Sequence, residues 1–376
     1  MSYRRRLCSR LARLLLPLAL PWASLAFSPP LLPLRANAAR GLSARGAQGA
    51  AMTAGAGVVA HEEATGHGGV RVVGGFRELE KDYDAFILDQ FGVMHNGGVA
   101  LPGAIDCFNQ LVAAGKKIVV LSNTSQRAGA AVGKLPSLGF DTSHVAGLVC
   151  SGEEAWHHVA EHRQDSKCLF LTWEREAGAD ASFLKGLSVT LADATEADFI
   201  LCHGAEMILS GDGKQDATGF KLSGDLSAYN DVLDAGVKRG LEMVCCNPDI
   251  KTVMANGNFG HMPGAIAEAY ERKGGTVRWF GKPHAVHFEA CLKLLPPSIP
   301  RERVVHVGDS LEHDVAGARN AQLSSVFIAG GIHNQELGLA SLPSGGMEGE
   351  IDEARLSELC ARWKVSPTVT SRTFVW

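Results

Sequence analysis

Five separated fragments of the chain carry side chains suited to moving a phosphoryl group: Asp89-Gln-Phe-Gly-Val93, Leu121-Ser-Asn-Thr-Ser125, Cys246-Asn-Pro-Asp249, Gly281-Lys-Pro283 and Val307-Gly-Asp-Ser-Leu-Glu-His-Asp314. A carboxylate that closes an apolar run can attack phosphorus, and a hydroxyl and a lysine can hold and neutralise phosphoryl oxygens. Asp309 and Asp314, with the loop and helix start between them, offer hard oxygen ligands to Mg²⁺, directly or through water. Each fragment alone has a plainer reading. An Asp before a glycine turn is often only a turn former. Ser122 after a strand is often a helix N-cap, Lys282 a solvated turn residue, and Asp314 a carboxylate favoured at a helix start. It is the series, in one order, that points to phosphoryl transfer.

Such groups have to be held by a scaffold, and the chain from about Val70 alternates between two kinds of segment. Short apolar runs read as buried parallel strands: Asp84 to Asp89, Lys117 to Leu121, Cys168 to Thr172, Phe199 to His203, Glu242 to Cys246, Arg278 to Phe280, Val304 to Val307 and Ser325 to Ala329. Between them lie stretches of helical spacing, among them Pro102 to Ala114, Ala128 to Leu138, Glu153 to His162, Ser227 to Arg239, Gly264 to Lys273, Ala285 to Leu295 and Asp314 to Ala321. This alternation predicts an α/β fold with a doubly wound, Rossmann-like parallel sheet. Asp89, Ser122 and Asp309 each follow a predicted strand, where such sheets bind ligands. The site fragments come from the front and back of the chain, so residues 70–150 and 245–335 are expected to form a discontinuous core. Residues 151–244 then form an inserted α/β cap domain, and 336–376 a tail with no assigned function.

Composition limits the alternatives. A chain of 376 residues with 46% apolar residues can bury a large core. Nine cysteines show no CxxC pair, so neither a zinc site nor a disulfide framework is expected. Residues 1–61 hold eight arginines and no Asp, Glu or Lys. Arginines from Arg4 to Arg13 precede an apolar stretch, Leu14 to Phe27, broken by Pro17 and Pro21, and an Arg-, Ala- and Ser-rich segment follows. That is the grammar of a signal sequence followed by a transit segment, and it is too short and broken for a membrane span. The Ala-Ser-Leu-Ala-Phe27 stretch resembles the bipartite leader that targets proteins to the plastid (chloroplast) of algae with secondary plastids; the mitochondrion is the alternative. Taking the leader's eight positive charges from the formal −4 leaves a body near −12, a poor binder of nucleic acid.

The order and wording of the motifs resemble the haloacid dehalogenase (HAD) superfamily, and Cys246-Asn-Pro-Asp249 with Gly281-Lys-Pro283 resembles its class IIA branch of p-nitrophenylphosphatase-like and nucleotide or phosphoglycolate phosphatases. The resemblance runs from about Asp84 to Gly331. It implies a HAD-like core with a cap, Mg²⁺ as cofactor, a small phosphorylated metabolite as substrate and commonly a homodimer. By position it implies Asp89 as the nucleophile that forms an aspartyl-phosphate, Ser122 with Asn123 as the phosphate holders and Lys282 as the neutralising cation. Asp309 is the implied direct metal ligand and Asp314 its support. Asn247 and Asp249 are given a structural or substrate-loop role.

One position departs from that pattern. The family's phosphatases carry Asp two residues after the nucleophile, to protonate the leaving oxygen and then activate water; this chain has Phe91. The Phe91 carbonyl can still ligate metal, but acid–base work of that kind is worth roughly 10²–10⁴ in rate. Three readings stay open, in this order: a slow or altered Mg²⁺-dependent phosphatase, a non-catalytic binder of a phosphometabolite or protein partner, and an enzyme cleaving a carbon–halogen or carbon–phosphorus bond. His95 is the nearest substitute acid, with a polar loop residue as the plainer reading. His157, His158 and His162 read as a solvated helix face, His284 and His287 as residues at the site mouth without a zinc pattern, and Gly257, Gly260 and Gly264 do not make a dinucleotide fingerprint. The polar stretch His203 to Gly224 reads as a surface loop in which Lys214 is a candidate for a substrate's second anionic group.

Overall fold

A computed structural model describes residues 70–178, 181–211, 213–254, 258–342 and 345–376. The expected leader and Gly257 lie outside the described residues. The first of two sheets is wholly parallel and seven-stranded, in the order Arg71–Val73, Val369–Ser371, Ser324–Ile328, Val304–Gly308, Ala85–Leu88, Lys117–Ser122, Val145–Cys150. From Ala85–Leu88 the chain winds outward through Lys117–Ser122 and Val145–Cys150, then returns to the other side of Ala85–Leu88 as Val304–Gly308. The strand order therefore reverses between Ala85–Leu88 and Val304–Gly308, and a doubly wound sheet binds its ligand beyond the carboxyl ends of strands at that point.

Period-two alternation explains how this sheet is covered. Phe86 and Leu88 face one side with Ile118 and Val120, where the helix Ala104–Ala113 lays Ala104, Cys107, Phe108 and Leu111 at helical spacing. Ala85 and Ile87 face the other with Val119 and Leu121, against Phe288 and Cys291 of the helix Ala285–Lys293. All of these are essentially inaccessible to solvent, and each large one contributes about 1.5–3 kcal/mol.

The second sheet repeats the plan. Thr276–Trp279, Glu242–Cys245, Phe199–Cys202 and Ser166–Thr172 are parallel neighbours; Met207–Ser210 and Gly213–Asp216 extend the sheet antiparallel, and Val189–Leu191 pairs with the start of Ser166–Thr172. Three expectations change here. The division at 244/245 gives way, because Glu242–Cys245 and Thr276–Trp279 pair within this sheet and carry the inserted layer on to about residue 279. A loop at the carboxyl end of an inserted strand can serve a site in the core, so Cys246-Asn-Pro-Asp249 does not mark the chain's return. The stretch His203 to Gly224 is a hairpin followed by the helix Gly219–Ser223. The tail is no appendage either: it supplies the helix Glu353–Trp363 and the buried core strand Val369–Ser371. Thr370 and Ser371 disguise that strand, yet they are fully buried because the ladder satisfies their backbone. No described helix is long and apolar enough to cross a membrane.

Candidate active site

The reversal of strand order makes Asp89 and Asp309 neighbours. Leu88 lies opposite Val307, and the Asp89 amide donates to the Val307 carbonyl at 2.9 Å, so the next residues leave the sheet side by side. Asp309 is joined by Asp314 from a π-type turn, Leu311–Val315, which replaces the first turn of the helix expected from Asp314; the amide of Val315 donates to Ser310 at 3.1 Å. Such turns widen the helix and re-aim a side chain. Here one carboxylate oxygen from each of Asp89, Asp309 and Asp314 lies within 4.8 Å of the others.

Glycines clear the space. A Cβ on Gly92, whose φ is +76°, would lie 1.9 Å from Oδ2 of Asp309; one on Gly308 would meet Cγ of Asp314 at 2.0 Å, and one on Gly331 would meet Oδ2 of Asp309 at 2.1 Å. Hard carboxylate oxygens packed this closely suit a divalent cation that prefers oxygen and retained water.

Lys282 arrives from the far end of the inserted sheet, through a cis bond to Pro283. Its ammonium is buried, 2.8 Å from Oδ1 of Asp89 and 2.7 Å from Oδ1 of Asp314. Asp314 also faces Nε2 of His306 at 2.7 Å and accepts from the Ser310 amide at 3.0 Å. Burial pushes the Asp314 carboxyl up, but Lys282 and His306 outweigh it and hold it well below the usual carboxylate range. Asp89 lacks that second support. Burial carries its carboxyl up to about 7, with Lys282 pulling the other way. Burial, then the charge of Asp89, pushes Asp309 well up. Burial works against the charge on Lys282, but Asp314 and Asp89 prevail and keep it firmly protonated. The Asp89 contacts with Lys282 and the Gln90 amide both fall on Oδ1, so neither engages Oδ2.

Ser122 and Asn123 stand at the end of the adjacent strand. Among the described residues the Ser122 hydroxyl makes one hydrogen bond, accepting from the Thr124 amide at 3.3 Å, so its own proton can be donated elsewhere. Asn123 is committed at both ends: Oδ1 accepts from the Lys282 amide at 2.7 Å and Nδ2 donates to Asp249 at 2.8 Å. It clamps the lysine loop to the loop Cys246–Asp249, where Asn247 in turn accepts from the Asp249 amide at 2.9 Å. His287 lies beneath this arrangement, accepting from the Gly281 amide at 2.7 Å.

Phe91 is 37% exposed at the wall of the cleft, its ring edge-on to His95 with centroids 4.7 Å apart. His95 is buried, takes the Gly97 amide on Nδ1 at 3.0 Å, and is held down at about 4 by burial and then by the charge of Lys134. It is a neutral imidazole rather than a poised acid. His158 and His162 stack on each other at 4.6 Å, outside the acidic cluster. Lys214 lies on an exposed strand and does not line the cleft. The sequence reading missed His306, hidden as one polar residue in an apolar strand, and the cleft residues Lys134, Trp173 and Arg175. The cleft itself has a volume of about 1120 Å³ between the two sheets' loops. Trp173 donates to Ser125 at 2.9 Å and Ser151 to the Cys246 carbonyl at 2.7 Å, tying its two sides together.

The chain is similar to known haloacid dehalogenase-like hydrolases. A family model described as haloacid dehalogenase-like hydrolase matches residues 86–181, and a HAD-hydrolase-like model matches residues 279–344. The chain is 28% identical over 279 residues to the glycerol-3-phosphate phosphatase of Mus musculus, covering 69% of this chain and 82% of that one. It is 26% identical over 278 residues to the putative NipSnap protein K02D10.1 of Caenorhabditis elegans, covering 67% of this chain but about half, 49%, of that longer protein. A crystal structure of a haloacid dehalogenase-like hydrolase from Brucella suis superposes with a TM-score of 0.63 at 25% identity, over 81% of this chain and all of the other.

Proposed function

We propose that the chain, which matches haloacid dehalogenase-like hydrolase models over residues 86–181 and 279–344, is a Mg²⁺-dependent phosphomonoesterase acting on a small phosphorylated metabolite through Asp89, slowed by Phe91. One observation carries the reading: a single buried lysine is shared by the carboxylates of Asp89 and Asp314 at the open end of the core sheet, beneath the cleft. Asp89, Asp309 and Asp314, with the Phe91 carbonyl, would hold Mg²⁺, which supplies charge to the phosphoryl oxygens and orients them.

The chain's own residues account for the rest. Oδ2 of Asp89 attacks phosphorus, the ester oxygen departs, and the acyl phosphate forms on the carboxylate. The Ser122 hydroxyl donates to one phosphoryl oxygen while Lys282 offsets the charge gathered around Asp89. With Phe91 in place of an acid, the leaving oxygen takes its proton from solvent. Water then attacks the acyl phosphate without a carboxylate to draw off its proton, its proton passing to solvent, which releases phosphate and restores Asp89. Both steps forgo the usual acid–base assistance.

Phosphate release by the full chain from a panel of phosphomonoesters that includes glycerol 3-phosphate, with Mg²⁺ and with chelator, tests the reading. Turnover that needs Mg²⁺ and falls by on the order of 10³-fold or more in Asp89→Asn is expected, as for loss of a nucleophile. Turnover that survives the substitution would remove Asp89 from its role. Binding of the esters with no turnover would favour the non-catalytic reading, for which Phe91 speaks.

A further inference from the structure

The turn that carries Asp314 is seated on a part of the chain beyond the matched family models, which end at residue 344. Leu311 and Val315 of that turn are buried with Leu356, Leu359 and Cys360 of the tail helix Glu353–Trp363 in one apolar cluster. Just past the helix, the Lys364 carbonyl accepts from Arg319 at 2.8 Å, which fastens the tail to Ala316–Asn320, the helix that continues the turn. A second tie runs through the loop after the strand Ser324–Ile328. Its Ile332 amide donates to Oδ2 of Asp309 at 2.9 Å, and Gly331 lies flush against the same carboxylate. The next residue, His333, is buried and joins the two ties: its Nε2 accepts from the Leu311 amide, the first of the turn, at 3.4 Å. With Nε2 accepting, the neutral ring carries its hydrogen on Nδ1, which donates to Oε2 of Glu336 at 2.6 Å. Oε1 of Glu336 in turn accepts from Arg362 of the tail helix at 3.0 Å. Phe327 and Trp363 wall the ring, with centroids 5.9 and 6.0 Å away. A bond of 3.4 Å is weak by itself, so what holds the turn is a ring fixed on its other side together with the apolar seat. The holding matters because three carboxylates within 4.8 Å of one another repel before a cation arrives. A loosened turn would relax away from the geometry that the cation needs.

We propose that His333, braced by Glu336 and Arg362, is a positioning residue for the carboxylates of Asp309 and Asp314, and that the tail helix is thereby part of what holds the divalent cation. His333 acts through the Leu311 amide and the adjoining Ile332, not by contact with the metal. This rests on the reading of Asp89, Asp309 and Asp314 as the metal site, and it adds that their geometry depends on residues past 344. A carboxylate that orients a histidine behind a metal site is a known way to tune affinity; here the histidine's other nitrogen is turned to a backbone amide that sets the aim of a ligand.

The test is Mn²⁺ binding to the full chain, read from the electron spin resonance of the free ion and displaced by Mg²⁺, in the parent, His333→Leu, His333→Gln and Glu336→Ala. His333→Leu removes both nitrogen contacts, and its Kd is expected to rise by on the order of tenfold. His333→Gln, whose side-chain carbonyl can accept from the Leu311 amide, should recover most of that loss, and Glu336→Ala should weaken binding less than His333→Leu does. Denaturant titration of the same proteins separates this from stability. A residue that only supports the fold would lower the unfolding midpoint and leave the Kd of the folded protein unchanged. That outcome overturns the positioning role and leaves the metal site standing, as does a Gln variant no better than the Leu variant. If His333→Leu does not fold, the other two decide. A Glu336→Ala Kd equal to the parent's overturns the role, and a weaker one beside a near-parental His333→Gln supports it. A parent that binds neither ion removes the metal reading and the positioning role with it.

Discussion

The molecule contains a wholly parallel sheet and a second with a parallel centre and an antiparallel edge, and the two differ in what their parallel strands carry at the carboxyl ends. In the core, Ala85–Leu88, Lys117–Ser122 and Val304–Gly308 end on Asp89, Ser122 and Asp309, all nearly inaccessible, with Lys282 tying Asp89 to Asp314 and His306 supporting Asp314. In the insert, Ser166–Thr172, Phe199–Cys202 and Glu242–Cys245 run into Trp173, His203 and Cys246. His203 is as buried as the core acids, yet it is neutral: it bonds Thr172 at 2.9 Å and lies against the ring of Phe183, centroids 4.3 Å apart. The scaffold makes a place for chemistry; charge that is buried and mutually compensated makes the chemistry. One sheet forms the floor of the cleft, and loops of the other form its roof.

The comparison can be sharpened first at Phe91, where the floor lacks a group the family uses. Phe91→Asp is expected to raise Mg²⁺-dependent turnover by roughly 10²–10⁴, read as kcat on whichever ester the parent accepts; an unchanged kcat would mean that proton transfer does not limit the reaction. Next is the network itself. Lys282→Met leaves Asp89 and Asp314 buried without their cation, so turnover should fall on the order of 10²–10³ and unfolding free energy by about 3–5 kcal/mol, measured by denaturant titration. Full stability in that variant would show that water already compensates the acids.

The smallest effect belongs to the roof. Burial holds the His203 imidazole down at about 3, against 6.5 for the free side chain. The folded protein therefore refuses a proton that the unfolded chain accepts below about pH 6.5. The stability this group contributes is whole above that pH and is lost progressively as the pH falls toward 3. Between pH 7 and 5 the loss amounts to about 2 kcal/mol. His203→Phe should flatten the unfolding midpoint over that window without moving the Asp89-dependent activity; an unaltered slope would assign the acid sensitivity to His95, His287 and His306 instead.

Much of the fold was legible because parallel strands buried on both faces read as apolar runs, as Ala85–Leu88 and Phe199–Cys202 do. Strands that break that rule were not seen: Val369–Ser371 ends in two buried hydroxyl residues, and Gly213–Asp216 is exposed throughout. Placing the strand expected at Arg278 to Phe280, observed as Thr276–Trp279, in the core failed for a different reason. Its alternation of exposed and half-buried residues marks an edge strand but not the sheet it edges, and pairing to Glu242–Cys245 is a long-range choice.

The sequence by itself determined which chemical groups the protein has, their order along the chain and the element each one follows, because strand and turn preferences are local. Only the tertiary structure decided that Lys282 answers to two acids at once, that His306 supports one of them, that Asn123 is a clamp, and that Lys134 and Arg175 line one cleft. Those are matters of burial and charge compensation between residues far apart in the chain. Desolvation and Coulomb energies depend on distance in space and on the water excluded between groups, and neither quantity is written in the spacing of residues.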